Sequence, residues 1–221
     1  MKTRMLYLCI AIKAAMILNF TSLKAEELKS GDLIFVGASE GNFSQAIADA
    51  TEWEETSMRF VHVGIIEVRD STEINVIEAS PQKGVRLISL DDFLAEAPLL
   101  SGRPAVAVKR CISEFPVEKT ISNAKRFLGQ PYDWWYMPDN GKIYCSELVF
   151  ESFLDDNGNH IFESHPMNFK AKDGSIPQFW IDLFEEIGEP IPEGVEGTNP
   201  SDLSKSKNLR PVLEPFHQLS E

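Results

Sequence analysis

Basic side chains and sulfur are both scarce in this chain. Only 21 Lys and Arg stand against 34 Asp and Glu, a formal net charge of −13 over 221 residues. So acidic a surface cannot neutralise a run of phosphates, which excludes nucleic acid as a partner. The surplus acid reads as a solvated, soluble surface. There are three cysteines and four histidines with no close Cys/His spacing, so no structural zinc site is expected and no other metal or cofactor is implied. Internal repeats are absent. Long apolar runs are absent too, apart from one at the very start.

That run is informative. In MKTRMLYLCIAIKAAMILNFTSLKAEE, Lys2 and Arg4 precede an apolar stretch from Met5 to Phe20, and Ala25 stands before Glu26-Glu27. Residues 1–25 read as a secretory signal peptide, so the mature protein is expected to be exported, periplasmic or extracellular, with no transmembrane span. A retained anchor is the rival reading, but Lys13 interrupts the stretch. Cys9 lies in it without a lipoprotein cleavage pattern. Loss of Lys2, Arg4, Lys13 and Lys24 takes the charge to −17. Only Cys111 and Cys145 then remain. They could pair as one disulfide in an oxidising compartment, although Cys111 closes the run PAVAVKRC and reads equally as a strand-end core residue.

The rest suits one α+β domain over 26–190, followed by an irregular extension over 191–221 that is rich in Pro, Gly, Ser and acid. Strands are expected at 31–37 (GDLIFVG), 60–68 (FVHVGIIEV), 75–80 (NVIEAS), 85–90 and 104–110, with 60–68 and 75–80 joined as a hairpin. Helices are expected from Asn42, with Gln45 three residues on as a capping partner, and after Ser89, capped against Asp92 and running through Ala97. Another follows Pro116, carrying Val117, Ile121, Ala124, Phe127 and Leu128 at helical spacing until Gly129 and Pro131 stop it. Segment 176–187 is amphipathic, and its Phe179, Trp180 and Phe184 read as packing groups.

Cys145, in GKIYCSELVFESF, lies where a loop gives way to a helix with apolar residues at Leu148, Val149 and Phe153. A thiol in a first helical turn meets unpaired amide N–H groups and the positive end of the helix dipole, which favour thiolate. A buried, inert core thiol is the alternative. Nucleophilic cysteine chemistry also needs a base and a group that orients it. His160, His165 and His217 lie in the Pro- and acid-rich back end, whereas His62 is rigidly aimed from a strand, with Gly64 adding no bulk on the same face. Glu78, on the paired strand, emerges from an apolar ladder and can orient the ring. Alone, His62 reads equally as a satisfied strand histidine and Glu78 as a surface charge.

The order GDLIF, HVGI, VIEAS, PYDWWY, YCSELV resembles the circularly permuted papain-like hydrolases of the NlpC type, in particular the YiiX/YebB-like group. The likeness spans roughly 31–154. It implies a permuted papain-like fold, a small antiparallel sheet packed against the nucleophile helix, and places the nucleophile on Cys145, the base on His62 and the third polar residue on Glu78. An exported cysteine amidase or peptidase acting through a thioacyl-enzyme is expected, with a murein stem-peptide amide as substrate. A lipid amidase or acyltransferase, or an inactive binding module, is the alternative. The Cys145 amide N–H, with Tyr144 or Ser146, is a candidate to hold the oxyanion or substrate; Tyr144 reads equally as a packing group. Asp133 either lines the site or caps a turn. Trp134, Trp135, Tyr136 and Met137 form either an acyl-chain wall or core packing. Oligomeric state is not legible.

Overall fold

In a computed structural model, residues 28–51, 58–70 and 72–213 are described. The expected signal peptide, with Cys9, and also His217 lie outside the described residues. Ten strands and six helices are described. The strands are β1 (Asp32–Gly37), β2 (Phe60–Val68), β3 (Ile74–Ser80), β4 (Gly84–Ser89), β5 (Leu99–Leu100), β6 (Arg103–Pro104), β7 (Val106–Cys111), β8 (His165–Pro166), β9 (Glu196–Gly197) and β10 (Leu209–Leu213). The helices are α1 (Asn42–Ala50), α2 (Leu90–Glu96), α3 (Val117–Lys125), α4 (Cys145–Ser152), α5 (Gln178–Ile187) and α6 (Pro200–Ser204).

One antiparallel sheet in the order β10-β7-β1-β2-β3-β4 organises the chain. Its middle strand explains the layering. All six residues of β1 are buried, yet they serve two different cores. Leu33 and Phe35 join the cluster containing Val63, Ile77 and Leu148, while Ile34 and Val36 join that of Val76, Phe93 and Leu94. Side chains alternate across a strand, so a continuous apolar run is what covering both faces requires. Asp32, at the entry to β1, is the polar exception, and the opposing Arg110 on β7 pairs with it through two contacts of 2.6 and 2.7 Å. Gly31-Asp32 therefore builds the strand entry.

Local signals account for most helix ends. Ser89 accepts from the Asp92 amide at 3.1 Å and starts α2 as its sequence predicts. α1 starts differently from expectation: Gly41 is the N-cap with no side-chain cap bond, and Asn42 is already helical. α3 stops at Lys125, so Phe127 and Leu128 lie in the turns that lead to Gly129 at φ +85°. α4 packs on β2 and β3, carrying its first residue to the middle of the sheet. No described helix is long and apolar enough to cross a membrane.

The expectation of an irregular extension from 191 is corrected by the structure for 196–213. β9 pairs with β8, α6 packs on β2 with Leu203 buried, and β10 pairs with β7 as an edge strand of the main sheet. Pro211 argues against a central strand, but an edge strand tolerates it because one side of its backbone needs no partner.

Candidate functional site

Strand pairing brings the first two candidate residues together. Gly64 on β2 lies directly opposite Glu78 on β3, and His62, two residues back on the same face, takes the diagonal position. The Glu78 carboxylate meets His62 Nε2 at 2.5 Å. Gly64 also leaves no room for a side chain beside this pair: a Cβ there would fall 2.4 Å from Val76 Cγ1 and 3.6 Å from Glu78 Cβ. A second device aims the histidine. Register with β1 passes from Val36↔His62 to Gly37↔Phe60, leaving Val61 over as a bulge, and bulges bend a strand and redirect its side chains.

The cross-strand partner of Glu78 on β4 is Arg86, a residue that sequence reasoning missed. Its Nε donates to Glu78 Oε1 at 2.7 Å, so Glu78 gives one oxygen to the arginine and the other to the histidine. Arg86 is held in turn by Glu96, which also pairs with Lys83. Charges thus alternate from the surface inward through Lys83, Glu96, Arg86 and Glu78 to His62. Burial pushes the Glu78 carboxyl up, but the hydrogen bond and charge of His62 and the Arg86 ion pair outweigh it and hold it below the usual range. Burial likewise opposes charge on His62. Hydrogen bonds and charge from Cys145 and Glu78 overcome it and raise the ring from 6.5 to about 10.

Cys145 is the first residue of α4 and is 3 % exposed. Its thiol lies near enough to His62 to contribute to the rise of that ring. With Nε2 given to Glu78, Nδ1 is the ring nitrogen left for it. The three residues expected to form a constellation therefore meet. Cys111, on β7, is a free thiol like Cys145, so the two do not pair.

The flanking candidates divide. Tyr144 caps α4, its amide donating to Glu147 Oε2 at 3.2 Å and its hydroxyl accepting from the Thr198 amide at 3.1 Å. Burial of Glu147, with Asp133, Glu151 and Asp139 adding repulsion and the Tyr144 amide opposing it, raises that carboxyl to about 8. Ser146 is fully buried and lines the pocket beside Cys145. Asp133 does not line it. Its oxygens accept from the amides of Trp135 and Met137 and from Asn140, each at 2.9 Å, so it folds the loop ahead of α4. Of the four-residue wall, only Tyr136 reaches the pocket. Trp134 packs on Phe43 and Tyr132, Met137 is exposed, and the Lys142 ammonium sits over the Trp135 ring. Phe184 is core packing, and Trp180 both packs and lines the pocket.

Two adjoining pockets open on the constellation. One, about 60 Å³, is lined by Cys145 together with Tyr132, Tyr136, Tyr144, Phe169 and Trp180. The other, about 240 Å³, is lined by His62 with Glu78, Arg86, Glu96, Gln82 and Phe93. Tyr132, Val61 and Ile47 belong to both walls.

A thiol, an imidazole and a carboxylate in series, with the thiol at a helix start, can deliver a nucleophile and a proton to one carbonyl. The profile of the permuted papain-like amidase family, YaeF/YiiX, C92, matches residues 27–213. The uncharacterised protein YiiX of Escherichia coli strain K12 is 28 % identical over 193 residues, covering 87 % of this chain and 86 % of that protein. The crystal structure of the metalloprotein yiiX from Escherichia coli O157:H7 superposes with a TM-score of 0.65 at 26 % identity, covering 85 % of this chain and 98 % of that one. This chain belongs to the permuted papain-like amidases.

Proposed function

We propose that this permuted papain-like amidase is a cysteine hydrolase in which Cys145 is the nucleophile, His62 the general acid and base, and Glu78 the group that orients His62. The His62–Glu78 hydrogen bond, with Cys145 at the start of α4 acting on the same ring, carries this reading. A protonated His62 beside the thiol favours an imidazolium–thiolate pair. Cys145 Sγ attacks the amide carbonyl, and the oxyanion takes the Cys145 amide N–H with a neighbouring tyrosine hydroxyl. Collapse breaks the C–N bond while His62 gives its proton to the departing amine. Water, losing a proton to His62, then attacks the thioester, releasing the acid and restoring the thiol pair. Among the described residues no group of three or more His, Cys, Asp or Glu is placed to hold a metal ion, so no step is routed through one.

A peptide amide in murein stems is the proposed substrate, in the exported compartment that residues 1–25 suggest. Pocket size supports a compact acyl part. The 60 Å³ beside Cys145 is well under the roughly 150 Å³ cavity that holds a benzene ring, and far too small for a long acyl chain. Apolar walls from Met167, Phe169 and Trp180 keep a lipid amide as the second reading.

Alkylation with iodoacetamide near neutral pH, followed by peptide mapping, tests the nucleophile. Cys145 is expected to react well ahead of Cys111 and to lose that lead in His62→Gln. Cys145→Ala is expected to lower the hydrolysis of stem peptides by about four orders of magnitude or more while keeping the fold. Full turnover by Cys145→Ala sinks the mechanism.

A further inference from the structure

Of the two pockets at the constellation, Cys145 lines only the smaller, so a group carried on its sulfur is housed there. Most of that wall is locked. The Tyr136 ring packs on Tyr144, Phe169 and Trp180 at centroid distances of 5.2, 5.9 and 5.6 Å. All four rings are buried and each supports the next, so none can be resized without disturbing the core. Met167 is different. Among the described residues it is the one long unbranched side chain lining the pocket, and it is only half-buried. Its main chain is pinned just beyond β8: its amide donates to the Val195 carbonyl and its carbonyl accepts from the Gly194 amide, each at 2.8 Å. With the backbone fixed, the thioether decides how far this part of the wall reaches inward.

Behind the thioether stands β9. A Cβ on Gly197 would fall 2.6 Å from Met167 Sδ, 2.8 Å from its Cγ and 2.9 Å from the Tyr144 hydroxyl oxygen. Glycine at this place lets the sulfur lie against the main chain of β9, and Gly197 itself does not line the pocket. Resting on the amidase reading above, we propose that Met167 is a specificity-determining residue: its thioether, seated on Gly197, limits the acyl group on Cys145 to a short one. Truncation of Met167 opens space as far as Gly197. The neighbouring walls are the Phe169 and Trp180 rings, so the group admitted into that space is an unbranched apolar chain. An alanine Cβ at position 197 would stand close to where the sulfur stood and refill part of the opening.

Alkyl methanethiosulfonates of graded length test the wall without requiring hydrolysis. Cys145 Sγ attacks the divalent sulfur of the reagent, an S–S bond forms that leaves the alkylthio group on Cys145, and methanesulfinate departs with the electron pair. The rate at Cys145 is read by peptide mapping and divided by the rate at free cysteine. In the wild-type chain it is expected to fall at least about tenfold from methyl to hexyl, the penalty of forcing extra methylenes into a filled site. In Met167→Ala the fall is expected to shrink to within about threefold, with the methyl rate kept. The double variant Met167→Ala, Gly197→Ala is expected to regain most of the fall, which loosened packing would not produce. Met167→Val is expected to lie between wild type and Met167→Ala, and it takes the place of Met167→Ala if that variant does not fold. A wild-type rate that is flat with length, an unchanged profile in the Met167 variants, or a double variant no steeper than the single one overturns the assignment. Hydrolysis of a stem peptide and of N-acyl amides of the same graded lengths is followed alongside. If the labelling profile shifts as expected but no amide is cleaved, the wall stands and the amidase reading falls. If the amides are cleaved with the same length preference by wild type and Met167→Ala, the amidase reading stands and the wall falls.

Discussion

The pocket on the sulfur side and the pocket on the imidazole side share Ile47, Val61 and Tyr132, yet they are built from opposite materials. Around Cys145 there are aromatic rings and hydroxyls. Around His62 there are Glu78, Arg86 and Glu96. Among the described residues, the uncharged side sets no charged side chain beside the thiol. On the charged side, Arg86 and Glu78 hold the ring through a series of alternating ions. In the proposed mechanism, this division confines the ions to the His62 face, from which the amine would leave, and keeps them off the Cys145 face.

Substitutions on the charged side should break that division most severely. His62→Gln is expected to lower kcat/KM for a cleaved amide about a thousandfold, the usual worth of a general acid and base. Steady-state rates at fixed pH check this, and retention of a tenth of the activity overturns the role. Gly64→Ala strikes the geometry rather than the charge. Its methyl must displace Val76, so a loss of about 1–3 kcal/mol in chemical denaturation is expected, with weaker activity because Glu78 moves from His62.

Arg86→Gln is a smaller perturbation with a directional signature. Arg86 holds the Glu78 carboxyl down, so its loss should move the acid limb of the kcat/KM profile to higher pH. About a tenfold drop in rate should accompany it, since a hydrogen bond to a charged group is broken. Arg86→Lys should recover part of the limb position, because it restores the charge without the fork that grips two carboxylates. An unmoved acid limb shows Arg86 to be packing only.

The smallest effect concerns stability against pH. His62 titrates at about 10 in the fold against 6.5 ordinarily. Its protonated form therefore contributes stability that is complete below pH 6.5 and lost as pH rises through about 10. Glu147, raised from 4.5 to about 8, adds a decline that runs from pH 4.5 to about 8. Denaturation midpoints should fall from pH 6.5 to 10. Glu147→Gln should flatten the early part of the fall and His62→Gln the later part. A midpoint that rises over this range contradicts both shifts.

Much of the constellation was legible because it rests on local pattern. The alternation of FVHVGIIEV and NVIEAS sets which residues share a face, and the turn before Cys145 sets the helix start. What was not legible depends on register and distance. Arg86 acquires meaning only once β4 is known to pair Arg86 with Glu78, which no periodicity reveals. Asp133 was open between two roles because a carboxylate in an aromatic run signals neither; three donors at 2.9 Å decide for the loop. In the back end, Pro-rich composition hid α6 and β10. A five-residue helix and an edge strand containing Pro211 carry too little pattern to rise above loop composition.

The arrangement of β9 and α6 has a consequence for how the protein comes into being. Thr198, Asn199 and Pro200 wall the cavity at Cys145, about fifty residues further along the chain, and β10 seals the sheet later still. During synthesis, the thiol emerges long before the segment that encloses it. Closure of so distant a segment is entropically slow. A nascent or truncated chain would therefore carry the Cys145 thiol without its chamber, which would be completed only with the last folded segment.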